Sequence, residues 1–110
     1  MQTVALTAHF LRRAAKVLDE QEQSALIDTI AADPTCGVLL QGTGGLRKLR
    51  FGSGSKGKSG GVRVVYYFFG DHAPIYLLEV FAKNEKANLS RAERDALAKL
   101  ARAIAAVWRR

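Results

Sequence analysis

Two stretches near the N-terminus repeat apolar residues with the period of an α-helix. From Ala8 to Leu18 the predicted apolar stripe consists of Leu11, Ala14, Ala15 and Leu18. A second helix is predicted to begin after Asp19, because Glu22 three positions later completes a capping box. Its buried face is expected to consist of Leu26, Ile27, Ile30 and Ala31. Pro34 is predicted to end it.

Three later segments have the pattern of β-strands. Leu46 to Phe51 alternates, so that Lys48 and Arg50 share one face and Arg47 lies on the other. The runs 62–69 and 75–82 are rich in β-branched and aromatic residues, and a short turn through 70–74 separates them. Three strands joined in this way predict an antiparallel meander. Because the parts from Tyr66 to Phe69 and from Tyr76 to Val80 are interpreted as apolar on both faces, we expect the sheet to be covered at least partly on each side.

The two ends of the chain complete a predicted α+β architecture. The segment 2–7 is compatible with a short N-terminal strand, although its alternation is weak. Ser90 and Glu93 form a second capping box and start a C-terminal helix. Its apolar positions are Leu97, Leu100, Ala101, Ile104, Val107 and Trp108. At 110 residues the whole chain, 1–110, is predicted to be one domain.

The charge of the chain favours a polyanionic partner. Its 17 Lys and Arg against 10 Asp and Glu give a formal charge of +7, which favours nucleic acid, a ribosome or an acidic protein. The segment 34–70 has no acidic residue. Cations on the predicted helices, such as Arg12 and Arg13, are interpreted as solubilising residues. A single cysteine, Cys36, allows no internal disulfide. No window is long and apolar enough for a membrane span, so a cytoplasmic location and no membrane partner are predicted.

The segment 52–59 matches the phosphate-loop pattern G-x-x-x-x-G-K-[ST] in every position. That pattern binds nucleotide phosphates when a helix begins at its end. Here Gly60 and Gly61 follow and a strand comes next, so a hairpin loop is predicted instead. Its lysines, Lys56 and Lys58, are expected to meet the phosphate of a polynucleotide.

The meander topology brings basic residues to one end of the sheet. The end of the first strand, the start of the second and the end of the third lie together in an antiparallel meander. Arg50, Arg63 and Lys83 are therefore predicted to be neighbours, with Lys56 and Lys58 in the overhanging loop. Glu85 and Lys86 lie just beyond Lys83. Like charges repel when they are this close, so we interpret the cluster as an anion site rather than as a solubilising surface.

Such a cluster is suited to metal-independent RNA cleavage by the 2′-hydroxyl. This reaction needs a base, cations that stabilise the phosphorane and an acid for the departing 5′-oxygen. Arg50 and Arg63 are suited to charge stabilisation, because a guanidinium donates two hydrogen bonds to a phosphate. A lysine among other cations could act as acid or base, and Glu85 is an alternative base. No cofactor or metal is required.

Three segments resemble the RelE/ParE toxin superfamily, particularly its HigB-like RelE branch. They are GTGGLRKLRF at 42–51, GKSGGVRVVYY at 57–67 and FAKNEKANLS at 81–90. The resemblance implies a toxin of a type II toxin–antitoxin system that cleaves messenger RNA on translating ribosomes. Its implied partners are mRNA in the ribosomal A site beside 16S rRNA, and a cognate antitoxin. Its implied fold is a compact antiparallel sheet with two N-terminal helices against one face and a C-terminal helix.

The resemblance also implies roles for particular residues. The basic strand residues of RelE-type toxins match Lys48 and Arg50, the arginine of the G-x-R-x-V-Y motif matches Arg63, and the basic residue after the last strand matches Lys83. The sequence departs from RelE where Asn84 replaces an arginine and Ser90 stands in place of a tyrosine. Lys58, Glu85 and Lys86 are the candidates for the missing proton-transfer roles. Arg47, Lys48 and Lys56 are the candidate RNA-binding residues.

Two alternatives remain open at this point. A ParE-like poison of DNA gyrase would have the same fold without an RNA-cleaving constellation. A nucleic-acid-binding module without catalysis would use the same basic patch. Charge alone does not discriminate among the three, because phosphate contacts form in each case.

Overall fold

The computed structural model describes residues 2–52 and 61–109. Within these residues, three helices and five strands follow one another. The strands are β1 (Val4–Leu6), β2 (Val38–Leu39), β3 (Leu46–Phe51), β4 (Val62–Tyr67) and β5 (Ile75–Ala82). The helices are α1 (Ala8–Val17) and α2 (Glu20–Ala32), both between β1 and β2, and α3 (Arg91–Trp108) at the C-terminal end.

The strands form one sheet in the order β1-β5-β4-β3-β2. The predicted meander of β3, β4 and β5 is confirmed, with antiparallel pairing throughout. The N-terminal strand joins it at one edge, where β1 runs parallel to β5 and pairs only with Ile75, Tyr76 and Leu77. Beyond Leu77 the register of β5 shifts against β4. This β-bulge changes which backbone groups of β5 face the edge that β1 leaves open.

Helices cover both faces of the sheet, as the apolar strands predicted. On one face α1 and α2 pack against the sheet, and the core there includes Phe10, Leu26, Ile30, Val64 and Tyr66. On the other face α3 packs over Leu46, Val65 and Phe81. The buried residues of α3 in this cluster include three alanines, at 98, 101 and 105.

The apolar stripe of α1 differs from the prediction. Phe10 and Ala14 are its buried residues, and Leu11 is 46% exposed. The helix is rotated so that the larger Phe10 enters the core, and Leu11 moves to its flank. A ring buries more apolar surface than a leucine side chain, so packing decides the orientation. In α3 the predicted apolar residues Leu100 and Val107 are likewise exposed.

Helix starts were predicted well and strand ends less well. The capping boxes of Asp19 with Glu22 and of Ser90 with Glu93 are both present. The predicted strand 62–69 ends at Tyr67. Phe68 and Phe69 leave the ladder but still pack against the core on its two sides.

The poorly defined segment after Pro34 contains the edge strand β2, which the sequence did not indicate. It is anchored by the buried Tyr66, whose hydroxyl accepts from the Gly37 N–H and donates to the Pro34 carbonyl, both at 2.8 Å. The half-buried Cys36 lies with its Sγ 3.8 Å from the same hydroxyl. A two-residue strand with both side chains exposed has no apolar alternation, so periodicity could not detect it.

Candidate nucleic-acid interface

A row of side chains crosses the end of the sheet on the face that α3 covers. Arg50 on β3 is paired with Arg63 on β4, and Arg63 is paired with Phe81 on β5. The predicted meeting of Arg50 and Arg63 is confirmed as a direct cross-strand pair. Side chains in such pairs have Cβ atoms about 5 Å apart, and like charges there weaken strand pairing. Arg50 is exposed and Arg63 is only 9% exposed.

Two lysines flank this row. Lys48 lies on β3 two residues before Arg50, and its ammonium donates to the Asn88 side chain at 3.2 Å. Lys86 lies above Phe81, with its ammonium 4.9 Å from the ring centroid. It also forms an ion pair with Glu93. The hydrogen bond from Lys86 is the main cause that lowers the pKa of Glu93.

The turn after β5 carries the remaining charged candidates. Lys83 is exposed, and its backbone N–H donates to the Gly61 carbonyl at the start of β4. The Glu85 carboxylate folds back, where one oxygen accepts from Arg13 at 2.6 Å and from the Ala82 N–H at 2.8 Å. The hydrogen bond from Arg13 lowers the pKa of Glu85, and the Ala82 N–H lowers it further. A carboxylate stabilised in this way is a weaker base than an unpaired one.

Arg47 does not join the row. As predicted from its strand alternation, it lies on the other face of β3, where its guanidinium donates to the Gly37 carbonyl at 2.8 Å and more weakly to the Thr35 carbonyl. It therefore holds β2 against β3. The loop lysines Lys56 and Lys58, with most of the phosphate-loop string, lie outside the described residues.

Sequence reasoning missed three contributors to this end of the molecule. Phe81 supports Lys86, Asn88 holds Lys48, and Arg13 binds the turn through Glu85. Arg13 lies off the apolar stripe of α1 and was interpreted as a solubilising residue, which is wrong. Its partners are about 70 positions away, so no local pattern could indicate them. Within residues 2–52 and 61–109, no three His, Cys, Asp or Glu side chains form a group that could hold a metal ion.

The sheet end thus combines cations from two strands, β3 and β4, with those of the turn after β5, which is suited to binding a phosphate chain. A family model for the RelE toxin of the RelE/RelB toxin–antitoxin system matches residues 4–110. The chain belongs to the RelE toxin family. It is therefore a toxin of a toxin–antitoxin system.

A solved structure agrees with this assignment at the level of the fold. The E. coli toxin RelE, in the free state and as a double arginine-to-alanine mutant, superposes with a TM-score of 0.56. The match covers 77% of this chain and 86% of the E. coli chain at 16% sequence identity. The predicted RelE-like α+β architecture is confirmed. No helix among the described residues of this RelE-family toxin is long and apolar enough to cross a membrane.

Proposed function

We propose that this RelE-family toxin is an endoribonuclease that cleaves messenger RNA bound to the ribosome and so arrests translation. The observation that carries the proposal is the cross-strand pair of Arg50 and Arg63 on the same face, flanked by Lys48 and Lys86. Two arginines paired across neighbouring strands can supply guanidinium groups to the non-bridging oxygens of one phosphodiester. Arginine is generally suited to phosphorane stabilisation, because a guanidinium is a fixed positive charge that donates several hydrogen bonds.

Each residue is proposed for the role that its surroundings favour. Arg63, which is anchored and largely buried on β4, holds the scissile phosphate, and Arg50 stabilises the charge that develops on it. Lys83 is exposed and forms no ion pair with a described residue, so we assign it the proton for the departing 5′-oxygen. Lys48 and Lys56, the latter from the segment that the sequence predicts to be a loop, bind the flanking phosphates.

The contacts of Lys86 and Glu85 favour different roles for these two catalytic candidates. Lys86 is held by Glu93 and Phe81 and adds positive charge next to Arg63. Glu85 is less suited to be the base, because Arg13 and the Ala82 N–H stabilise its charged form. Lys58 is proposed as a further proton-transfer group. The scheme needs neither metal nor cofactor.

The positive charge of the sheet end favours RNA as the proposed partner. The mRNA in the A site and the 16S rRNA beside it are both polyanions, and a basic sheet end attracts each of them. The antitoxin is proposed to neutralise the toxin through an acidic or apolar segment. The sequences of 42–51, 57–67 and 81–90 favour the HigB-like branch of the family.

The test is cleavage of a defined mRNA by purified toxin, with and without programmed ribosomes, followed by mapping of the RNA ends. We expect cuts in the A-site codon only when ribosomes are present. Arg63→Lys keeps the charge at a buried position and is compared with Arg63→Gln, with circular dichroism as the check of folding. Intact RNA with inhibited gyrase supercoiling would refute the proposal in favour of the gyrase poison. RNA binding without cleavage by a folded protein would refute it in favour of a binding module.

A further inference from the structure

The open edge of β5 beyond β1 is closed by side chains rather than by a strand. After the bulge, the N–H groups of Val80 and Ala82 both donate to carboxylates: Glu79 Oε1 is 2.9 Å from Val80 N, and Glu85 Oε1 is 2.8 Å from Ala82 N. Edge donors of this kind need a partner when they are not exposed to water. The two carboxylates take the place that a longer β1 would occupy.

Arg13 lies between these two carboxylates. Its Nη2 donates to Glu85 Oε1 at 2.6 Å, and its Nε is 4.0 Å from Glu79 Oε1. Glu79 is also 3.0 Å from His9 and is 7% exposed. The Arg13 side chain is itself only 24% exposed, and the pKa of its guanidinium is raised, first by the hydrogen bond to Glu85. One side chain of α1 thus holds the edge and the turn together.

The turn held in this way carries the catalytic candidates. Glu85 closes this turn with two hydrogen bonds to Ala82. Its backbone N–H donates to the Ala82 carbonyl at 3.0 Å, and its carboxylate accepts from the Ala82 N–H. Lys83 lies inside this turn and Lys86 directly follows it. Because α1 is packed into the core through Phe10 and Ala14, Arg13 connects the turn to the rigid part of the molecule.

We propose that Arg13 is a positioning residue, which fixes the turn at 83–85 through Glu85 and so places Lys83 and Lys86 beside Arg63. The inference rests on the proposed RNA cleavage for its effect on rate. Arg13 does not contact the RNA. Its removal therefore changes the placement of catalytic groups without removing a phosphate contact.

The test uses the full-length toxin and the variants Arg13→Gln, Glu85→Gln, the double variant and Arg13→Lys. We expect Arg13→Gln to lower kcat for cleavage about 10- to 100-fold, which is the range for small misplacements of catalytic groups. KM and its salt dependence should change little. Both single variants remove the same ion pair between Arg13 and Glu85. The double variant should therefore lose no more activity than either single variant. Arg13→Lys should recover most of kcat, since it keeps one charged donor to Glu85.

Hydrogen exchange at the Ala82 amide gives a readout that does not depend on activity. It should become faster in Arg13→Gln and Glu85→Gln but not in Arg12→Gln, the matched control on the exposed side of the same helix. Unchanged Ala82 exchange together with wild-type kcat in Arg13→Gln would overturn the inference. A raised KM with a reduced salt slope would also overturn it, because Arg13 would then bind phosphate directly. If the wild-type toxin cleaves no RNA, the proposed function fails, and Ala82 exchange alone decides whether Arg13 fixes the turn.

Discussion

Arg47 and Arg50 provide a matched pair for testing which face of the sheet binds RNA. They are three residues apart on β3 and carry the same charge, but they lie on opposite faces. Replacing either with alanine changes the net charge equally. Any difference in RNA cleavage therefore arises from position and not from the overall charge of the toxin.

The structure sets the expected size of each effect. A charge-assisted hydrogen bond contributes about 1.5 to 3 kcal/mol. At about 1.36 kcal/mol for each factor of ten, Arg50→Ala should lower kcat/KM about 10- to 150-fold. Arg47 instead donates to the carbonyls of Gly37 and Thr35. Its replacement should lower the free energy of unfolding by about 1 to 2 kcal/mol and leave kcat close to wild type.

Two measurements on each variant check this expectation. Single-turnover cleavage of mRNA on programmed ribosomes gives the rate, and urea unfolding followed by circular dichroism gives the stability. Removing one phosphate-binding cation should also reduce the slope of log K against log salt by about 0.7 for single-stranded RNA, in Arg50→Ala only. Equal decreases of kcat/KM in two folded variants would refute the assignment of the site to the α3 face.

Three further predictions concern stability. Tyr66→Phe should lower the free energy of unfolding by about 2 to 3 kcal/mol, since the buried Gly37 N–H loses its partner; a change below about 0.5 kcal/mol in urea unfolding would contradict this. Because Arg13 depresses the folded-state pKa of Glu85, this residue stabilises the fold above its unfolded pKa of about 4.5, and the stabilisation is lost as pH falls through the lower folded pKa. Glu85→Gln should therefore show a flatter decline of Tm below pH 4.5 than wild type, and parallel curves would contradict the pairing. Gly61→Ala should lower the free energy of unfolding by about 3 kcal/mol or more and lower Tm accordingly. The reason is that Gly61 has a φ of +68° and an added Cβ would collide with the Phe51 carbonyl oxygen; a wild-type Tm would refute this.

The sequence predicted the parts of the site that depend on strand alternation and meander topology. Arg50 meets Arg63 because a hairpin of two antiparallel strands brings the end of one to the start of the next. Arg47 faces away from both because side chains alternate along a strand. These are properties of the backbone, so residue spacing was sufficient to find them.

The parts that failed depend on packing between distant segments. The buried face of α1 was predicted from apolar spacing, but the core selected Phe10 rather than Leu11. The edge strand β2 forms because Tyr66 and Arg47 bind the chain around Gly37, and neither contact is local. Arg13 could not be distinguished from Arg12 by sequence, since both lie off the predicted stripe and only the fold brings Glu85 to one of them.

The bulge in β5 accounts for the position of a charged residue, Arg13, on α1 near the candidate site. Without the bulge, the N–H of Glu79 rather than that of Val80 would face the open edge. Every second residue of β5 would then face this edge without interruption, as it does in the part of β5 that pairs with β1. With the bulge, the donors of Val80 and Ala82 face α1 and are satisfied by two carboxylates. The two carboxylates that accept from this edge repel each other, and Arg13 lies between them and offsets part of that repulsion. The same pairing connects α1 to the turn beside Arg63, so closing the sheet edge and the proposed positioning of Lys83 and Lys86 depend on one side chain.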